Sequence, residues 1–208
     1  MIGALYLIFN PAEAWDRILQ AQRSSWFLLV RYLLPMMLIT MAAEGYGMVN
    51  WGKPQAVLHR VIKFSVGETV VFEMTRFLLT LLIVVVCAFA IKRFGETFRE
   101  RNTYRQTFTL VIYGLGPLFL LRLLDATTVI SPWLTWGIGI ALCTEVLYYG
   151  VPRVMEPDSP NAFGVYFMSS LVLVATTGLE RFGTAWFLSG RMRPVDDIIH
   201  AILRHLSS

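Results

Sequence analysis

Charged side chains inside long apolar stretches are the residues of this sequence most able to do chemistry. A charge in hydrocarbon is costly, so such residues must face one another or water. Glu73 and Arg76 stand one helical turn apart, a spacing that allows an ion pair within one helix. At one end of four predicted helices, the charges expected at a common depth are Glu44, Glu73, Arg76, Arg122, Asp125, Glu180 and Arg181. We call these residues the polar cluster.

Two interpretations of the polar cluster stay open at this point. As a functional site, it would form a polar cavity that opens outward and binds an ion, a lipid headgroup or a small solute. As a structural feature, it would close the helix bundle by charge pairing, or place side chains where they reach the headgroups. The structural interpretation is favoured because most of these residues lie within two turns of a helix end. We expect Arg122 to pair with an acid of another helix, Glu73 or Glu44.

The sequence contains no recognisable catalytic or metal-binding constellation. His59 lies in a loop, whereas His200 and His205 are five residues apart and do not share a helical face. Neither a Cys-x-x-Cys nor a His-Glu-x-x-His motif is present. Cys87 and Cys143 fall within apolar stretches, where packing as small apolar residues is expected and a disulfide or redox pair is the alternative. We therefore expect a protein that is not an enzyme and that uses no cofactor or metal.

The elements that position these residues are five apolar stretches separated by short polar loops. A helix rises about 1.5 Å per residue, so about 20 residues cross the hydrocarbon of a bilayer. The chain is 56% hydrophobic and only 15% charged, with a mean hydropathy of +0.58, which indicates an integral membrane protein. The sequence predicts an all-α membrane protein in which residues 1–208 form one domain. The five transmembrane helices are expected at about residues 26–46, 70–91, 107–124, 130–149 and 163–188.

The net charge of +4 is modest and spread over the loops. This pattern is typical of attraction to anionic lipid headgroups rather than of a surface that binds nucleic acid. The lipid bilayer is therefore the expected surrounding, and no nucleic-acid partner is expected.

A helix that does not span the membrane is predicted at about residues 10–24. Asn10 is a candidate N-cap, Pro11 suits the first helical position, and Glu13 would complete a capping box. The helix is expected to lie flat in the membrane interface, and the alternative is an ordinary amphipathic helix packed on loop ends. Its expected interfacial anchors are Trp15, Ile18 and Leu19. The first residues lack a basic leader and a small-residue cleavage site, so no removed signal peptide is expected here.

Three further segments are predicted from local patterns. The third apolar stretch contains a motif that weakens a helix and lets another backbone approach closely, formed by Tyr113, Gly114, Gly116 and Pro117. The loop segment QAVLHRVIKF has an apolar face and predicts a second short interfacial helix. A short polar-capped tail helix is predicted at about residues 195–206.

The orientation rests on one short loop. The segment from Lys92 to Arg105 holds five basic residues, and short loops rich in Lys and Arg stay in the cytoplasm. The N-terminus is then cytoplasmic, and five spans place the C-terminus outside. Counted over the whole chain, with this loop included, the basic residues divide almost evenly between the two sides.

Four features resemble the Yip-domain family of Ypt/Rab-interacting membrane proteins, in particular its short bacterial inner-membrane members. The segment LIFNPAEAWDRI resembles the family's opening interfacial segment, with Phe9 and Pro11 set slightly closer than in its Phe-x-x-Pro pattern. The segment LVIYGLGPLFLLRLL resembles the Tyr-x-x-x-Pro third span. The segment from Trp133 to Phe167 resembles the fourth span, its Tyr-rich exit and the short polar loop before span five. The spacing of the five spans is the fourth feature.

The resemblance implies a fold, a cytoplasmic N-terminus and a location in the bacterial inner membrane. Eukaryotic relatives carry a long hydrophilic N-terminal region and an Asp-Leu-Tyr-Gly-Pro motif. This chain has about nine residues before its first predicted helix and reads Tyr-Gly-Leu-Gly-Pro. Rab GTPase binding and vesicle trafficking are therefore not expected.

Two functions are carried forward from the sequence. The first is a non-enzymatic membrane scaffold or assembly factor, whose candidate partners are another membrane protein or a second copy of the chain. The second is a small permease for an ion, a solute or a lipid that uses the polar cluster. Five spans without an inverted repeat disfavour a complete secondary transporter in one chain. A continuous polar cavity joining Glu73, Arg76 and Arg122 would favour transport, and a dry bundle would favour scaffolding.

Overall fold

A computed structural model describes residues 2–55, 60–98, 102–127, 130–158 and 160–188 of the chain. The tail helix predicted at about residues 195–206 lies outside these ranges. So do Arg99 and Arg101 of the basic loop.

Five helices are long and apolar enough to cross a membrane, which confirms the predicted all-α membrane architecture. They are Ser25–Asn50 (span one), Val66–Thr97 (span two), Tyr104–Ala126 (span three), Pro132–Val154 (span four) and Ala162–Leu188 (span five). Most of them run past the predicted apolar stretches because capped polar turns extend the helices. Span two, for example, begins after a capping box in which Ser65 and Glu68 satisfy each other's backbone N–H groups.

Two of the spans are interrupted. Span one changes to a π-helical turn at Leu29–Leu33, directly before Pro35, which cannot donate a backbone hydrogen bond. Span three breaks at Leu115, between a helix that ends at Gly114 and one that begins at Gly116. Its last turn is a 3-10 helix, Leu123–Ala126.

An N-terminal helix is present, as predicted, but it is built differently. Two helices, α1 (Ile2–Phe9) and α2 (Pro11–Gln20), meet at Asn10, whose side chain makes no capping hydrogen bond. The capping role predicted for Asn10 is therefore wrong. Glu13 instead accepts a hydrogen bond from the Tyr6 hydroxyl, and this bond raises the pKa of the Tyr6 phenol above its usual range.

The loop between spans one and two contains a short antiparallel ribbon, formed by β1 (Lys53–Gln55) and β2 (Arg60–Ile62). The second short helix predicted in QAVLHRVIKF is therefore wrong where the structure describes that segment. Gly52 makes the turn before β1 with a φ of 80°, a conformation that glycine adopts without steric cost. This turn reverses the chain and returns Lys53 to the end of the bundle.

Span three lies at the centre of the bundle. In its most apolar window 61% of the residues are buried inside the protein, against 22% for span five. Helix α2 packs on span four, at the opposite end of the bundle from β1 and β2, and α1 packs on the second half of span three and on span four. The fold therefore has two distinct ends, one closed by the N-terminal helices and one that carries the polar cluster.

Candidate functional site

The polar cluster assembles at one end of the bundle from four of the five spans. Span one runs toward this end and contributes Glu44, and span two leaves it and contributes Glu73 and Arg76. Span three arrives with Arg122 and Asp125, and span five with Glu180 and Arg181. Their side chains are buried, with relative exposures no higher than the 12% of Arg122.

Glu44 is the first acceptor of the cluster and the most enclosed of its glutamates. Its Oε1 lies 3.1 Å from Lys53 Nζ, and its Oε2 accepts a hydrogen bond from Arg76. The Nε atom of Arg122 lies 3.6 Å from the same Oε2. One carboxylate thus meets three cations from two other spans and a loop.

Glu180 is the second acceptor and receives two of the same cations. Its Oε1 lies 3.3 Å from Arg76 Nε and 3.4 Å from Arg122 Nη1. The Thr80 hydroxyl lies 3.3 Å from this oxygen. Arg76 and Arg122 therefore bridge spans one and five, because each contacts both Glu44 and Glu180.

Asp125 forms the third part of the cluster. Its Oδ2 lies 2.8 Å from Arg181 Nη2, and its Oδ1 accepts a 2.5 Å hydrogen bond from the Thr135 hydroxyl. Arg181 also donates through Nε to the carbonyl oxygen of Pro132, at 3.2 Å, where span four begins. Lys53 donates to the backbone carbonyl of Asp125 as well as to Glu44, and so joins this part to the rest.

Glu73 stands apart from the other acids. Although it is only 3% exposed, it makes no ion pair with any residue that the structure describes, and its Oε1 has no hydrogen-bond partner among them. The ion pair with Arg76 that the spacing allows does not form, and Arg76 pairs with Glu44 and Glu180 instead. Of the two partners predicted for Arg122, the structure shows Glu44 and not Glu73.

The space inside the cluster is small. A cavity of about 20 Å³ is bordered by Arg76, Arg122 and Glu180, and a second of about 10 Å³ by Glu73, Thr80 and Arg122. A cavity needs about 10–15 Å³ to hold one water molecule. Within the described residues, the cluster is therefore a set of paired charges with little space between them, and no cavity beside it is large enough for a solute much bigger than water.

Lys53, Thr80 and Thr135 belong to this site although the sequence did not point to them. Lys53 follows span one in a loop, and only the turn at Gly52 returns its ammonium to Glu44. The two threonines look like ordinary helix residues in sequence. A Lys a few residues after a buried glutamate was the one available signal, since a buried acid needs a cation within reach.

The residues expected to anchor α2 in the membrane lie at the other end, and Trp15 does not face lipid there. Its side chain is fully buried, its Nε1 donates a 2.9 Å hydrogen bond to the carbonyl of Val146, and its ring packs against Gly150. A Cβ at position 150 would lie 2.6 Å from the indole, so the glycine makes room for it. Ile18 and Leu19 are partly buried against the same core. The interfacial role expected of Trp15 is therefore wrong, because this face of α2 covers spans three and four.

The helix-weakening motif contributes to the same contact. Tyr113 meets the Trp15 ring edge-on with centroids 6.0 Å apart. A Cβ on Gly114 would lie 3.0 Å from Leu147, and one on Gly116 would lie 3.2 Å from Ala4 of α1. Pro117 occupies the first turn after the break. The motif thus lets spans one and four and helix α1 approach span three closely.

Neither cysteine pairs with the other, and both are buried thiols. Cys87 lies 2.9 Å from the Thr176 hydroxyl. Among the described residues, no group of three or more His, Cys, Asp or Glu side chains is arranged to hold a metal ion.

Comparison with known proteins places the chain in context. A family model described as the Yip1 domain matches residues 5–179, which include α1, α2 and most of the five spans. No curated protein and no solved structure gives a significant match.

Proposed function

Because the chain belongs to the Yip1-domain family, we propose that it is a non-enzymatic membrane scaffold whose five-span body holds partner membrane proteins against its outer faces. It is a multi-pass integral membrane protein, so the bilayer is its immediate surrounding. The candidate partners are another membrane protein and a second copy of the chain.

The observation that carries this proposal is the internal pairing of the polar cluster. Arg76 and Arg122 are each shared by Glu44 and Glu180, and Arg181 is held by Asp125. Paired charges of this kind gain little from a passing ion, since the ion would have to displace a cation that is already bonded. The small cavities beside them leave room for about one water molecule each.

The outer surface of span five is the least covered by the rest of the bundle, since only 22% of the residues in its most apolar window are buried inside the protein. Large apolar side chains project from it along its whole length, namely Phe163, Phe167, Leu171, Leu179, Phe182 and Trp186. Association of helices in a membrane depends on close packing of such faces rather than on exclusion from water. A scaffold would use this face, because the other spans are more enclosed by their neighbours.

Site-specific photocrosslinking in native membranes tests the proposal. A photoreactive residue at exposed Leu171 should form a discrete protein adduct, either with another membrane protein or with a second copy. The matched control is the same residue at Leu173, which is fully buried two positions later. Crosslinks to lipid alone at Leu171, repeated at Phe167, would remove the basis for a scaffold.

Ion flux into proteoliposomes tests the competing permease interpretation. Glu73 is the observation that favours transport, because its Oε1 is buried and unpartnered among the described residues. The scaffold proposal expects no flux of protons, sodium or potassium above that of protein-free vesicles. A flux that disappears in a folded Glu73→Gln variant would overturn it.

A further inference from the structure

A groove at the end of the bundle opposite the polar cluster has the size of a ligand site. It has a volume of about 540 Å³, within the range of about 300–1,000 Å³ usual for small-molecule sites. Its walls come from α2, the start of span one, the start of span three and the end of span four. Neither the polar cluster nor the exposed face of span five contributes to it.

The polar side of the groove is cationic. Its charged residues are Arg23, Arg105, Arg153 and Glu156. Arg153 is balanced by Asp16, since its Nε lies 3.0 Å from the Asp16 carboxylate. Arg23 and Arg105 make no ion pair with any acid among the described residues. Two guanidinium groups therefore stand in the groove without an ion-pair partner among the described residues, beside one carboxylate, that of Glu156.

Arg105 is held in place without losing its charge. Its Nη2 donates to the backbone carbonyls of Gln22, at 2.7 Å, and of Arg23, at 3.0 Å. Both acceptors are neutral, and the other guanidinium nitrogens donate to no described residue. A planar guanidinium presents donors that match a phosphate or a carboxylate, so Arg105 is preorganised for an oxyanion. The guanidinium carbon of Arg23 lies 4.8 Å from the centre of the Phe27 ring, and its N–H groups donate to no described residue.

Part of the groove wall is apolar. It is formed by Ile18, Leu19, Leu28 and Val154, while the uncharged polar residues of the lining are Gln22, Thr103, Gln106 and Thr109. A free inorganic anion would gain nothing from this wall, whereas a molecule with an anionic head and a hydrocarbon tail would use both parts. The charged and apolar parts of the groove together therefore fit an amphiphilic ligand.

The groove also lies at the level of the headgroups. It opens where spans one and three begin and where span four ends, and exposed Trp26 and Tyr104 mark the same level. Trp and Tyr are enriched where a membrane meets water. A lipid could therefore enter sideways from the bilayer without leaving it.

We infer that this groove binds one anionic phospholipid, with its phosphate between Arg23 and Arg105 and its acyl chains along Ile18 and Leu19. The site is separate from the proposed scaffold face, so either could exist without the other. The acidic segment of a partner protein is the competing occupant, and it would not need the apolar wall.

Native mass spectrometry of the purified full chain tests this inference. The protein is reconstituted in bilayers of equal parts phosphatidylglycerol and phosphatidylcholine, extracted in mild detergent, and its retained lipid is measured. We expect one phosphatidylglycerol per chain, and a retained fraction at least about tenfold lower in Arg23→Gln/Arg105→Gln, since each charge-assisted bond contributes about a factor of ten or more. The matched control is Lys92→Gln/Arg93→Gln, which removes two charges at the same end of the bundle but outside the groove.

Three results would overturn the inference. They are equal retention of the two lipids, equal loss in the two double variants, and binding of inorganic phosphate to the lipid-free protein as tight as that of the phospholipid. Because Arg105 also fixes the end of α2, the Arg105 change could unfold that turn. The single variant Arg23→Gln avoids this problem, because the side-chain nitrogens of Arg23 donate no hydrogen bond to a described residue. This variant must therefore lower phosphatidylglycerol retention by itself.

Discussion

Glu44 and Glu73 show how differently two buried carboxylates can be placed within one cluster. Both are almost fully enclosed, but Glu44 makes ion pairs with Lys53, Arg76 and Arg122, whereas Glu73 makes no ion pair with any described residue. The sequence offers the same residue type, in a predicted span, in both cases. The packing of the spans therefore decides that Glu44 accepts ion pairs and that Glu73 does not.

This difference predicts unequal effects of two identical substitutions. Glu44→Gln should destabilise the protein by about 3–5 kcal/mol, because it leaves buried cations without their counter-charge. Glu73→Gln should change stability by less than about 1 kcal/mol, because no ion pair is lost. Thermal unfolding of both variants in the same detergent measures the contrast, and comparable losses would contradict this assignment.

The shared cations predict a coupling between spans three and five. In a double-mutant cycle, Arg122→Met and Glu180→Gln should be non-additive by about 0.5–3 kcal/mol, because each removes the partner of the other. Arg122→Met combined with Glu73→Gln serves as the control and should be close to additive. Non-additivity in the control, with additivity in the first pair, would favour the pairing of Arg122 with Glu73 that the sequence suggested.

At the scale of elements, glycines set how closely the helices approach. A Cβ on Gly47 would overlap the backbone carbonyl of Ala126, so span one can meet the last turn of span three only without a side chain there. Gly137 lies in span four with nothing within contact distance of its missing Cβ. Two helical glycines therefore differ in what an added methyl group meets.

Gly47→Ala should destabilise the protein because backbone atoms cannot yield as a flexible side chain does. We expect a loss of about 1–3 kcal/mol from overpacking. Gly137→Ala should be neutral or should stabilise by up to about 1 kcal/mol through helix propensity. The thermal unfolding midpoints of the two variants measure this difference. An unchanged midpoint for Gly47→Ala would show that span one does not lie against Ala126.

The docking of α2 on span four predicts a specific role for one indole nitrogen. Trp15→Phe keeps most of the ring but removes the hydrogen bond from the indole N–H to the Val146 carbonyl, so we expect a loss of about 0.5–1.5 kcal/mol. Trp26→Phe is the control, because Trp26 is 72% exposed. Equal thermal stability of the two variants would mean that α2 does not depend on this hydrogen bond.

The spans were predictable from sequence, whereas their interior contacts were not. Apolar length identifies a span directly, and the five predicted stretches lie within or close to the five helices observed. Trp15 was misplaced because an amphipathic face looks the same whether it covers lipid or protein, and Gly150, which receives it, is 135 residues away. Lys53 was missed because a tight turn, not helical periodicity, brings it to Glu44. The ribbon was missed because its residues have an apolar face in either conformation.

At the scale of the whole molecule, the two ends of the bundle differ in chemistry. The polar cluster balances acids against cations at one end, while Arg23 and Arg105 stand unbalanced at the other. An excess of basic residues marks the cytoplasmic side of a membrane protein. We therefore propose that the end bearing α1 and α2 is cytoplasmic.

Cysteine labelling in intact cells tests this orientation. A cysteine at Arg93, on the same end as α2, should be protected from a membrane-impermeant reagent, and one at exposed Lys63 should be labelled from outside. The unmodified protein is a suitable control, because Cys87 and Cys143 are both buried. Labelling at position 93 with protection at position 63 would reverse the orientation.

The placement of Glu180 has a consequence for how the chain is made. A ribosome releases the spans in order, so Arg76 and Arg122 enter the membrane while span five is still unfinished. In the finished structure both arginines pair with Glu44 and with Glu180. Before span five is made, Glu44 is the acid of this pair that is already in the membrane. Until the last span arrives, the two arginines share one carboxylate and Asp125 lacks its arginine. Span five brings one acid, Glu180, and one base, Arg181, so its insertion completes the ion pairs without changing the net charge of the cluster.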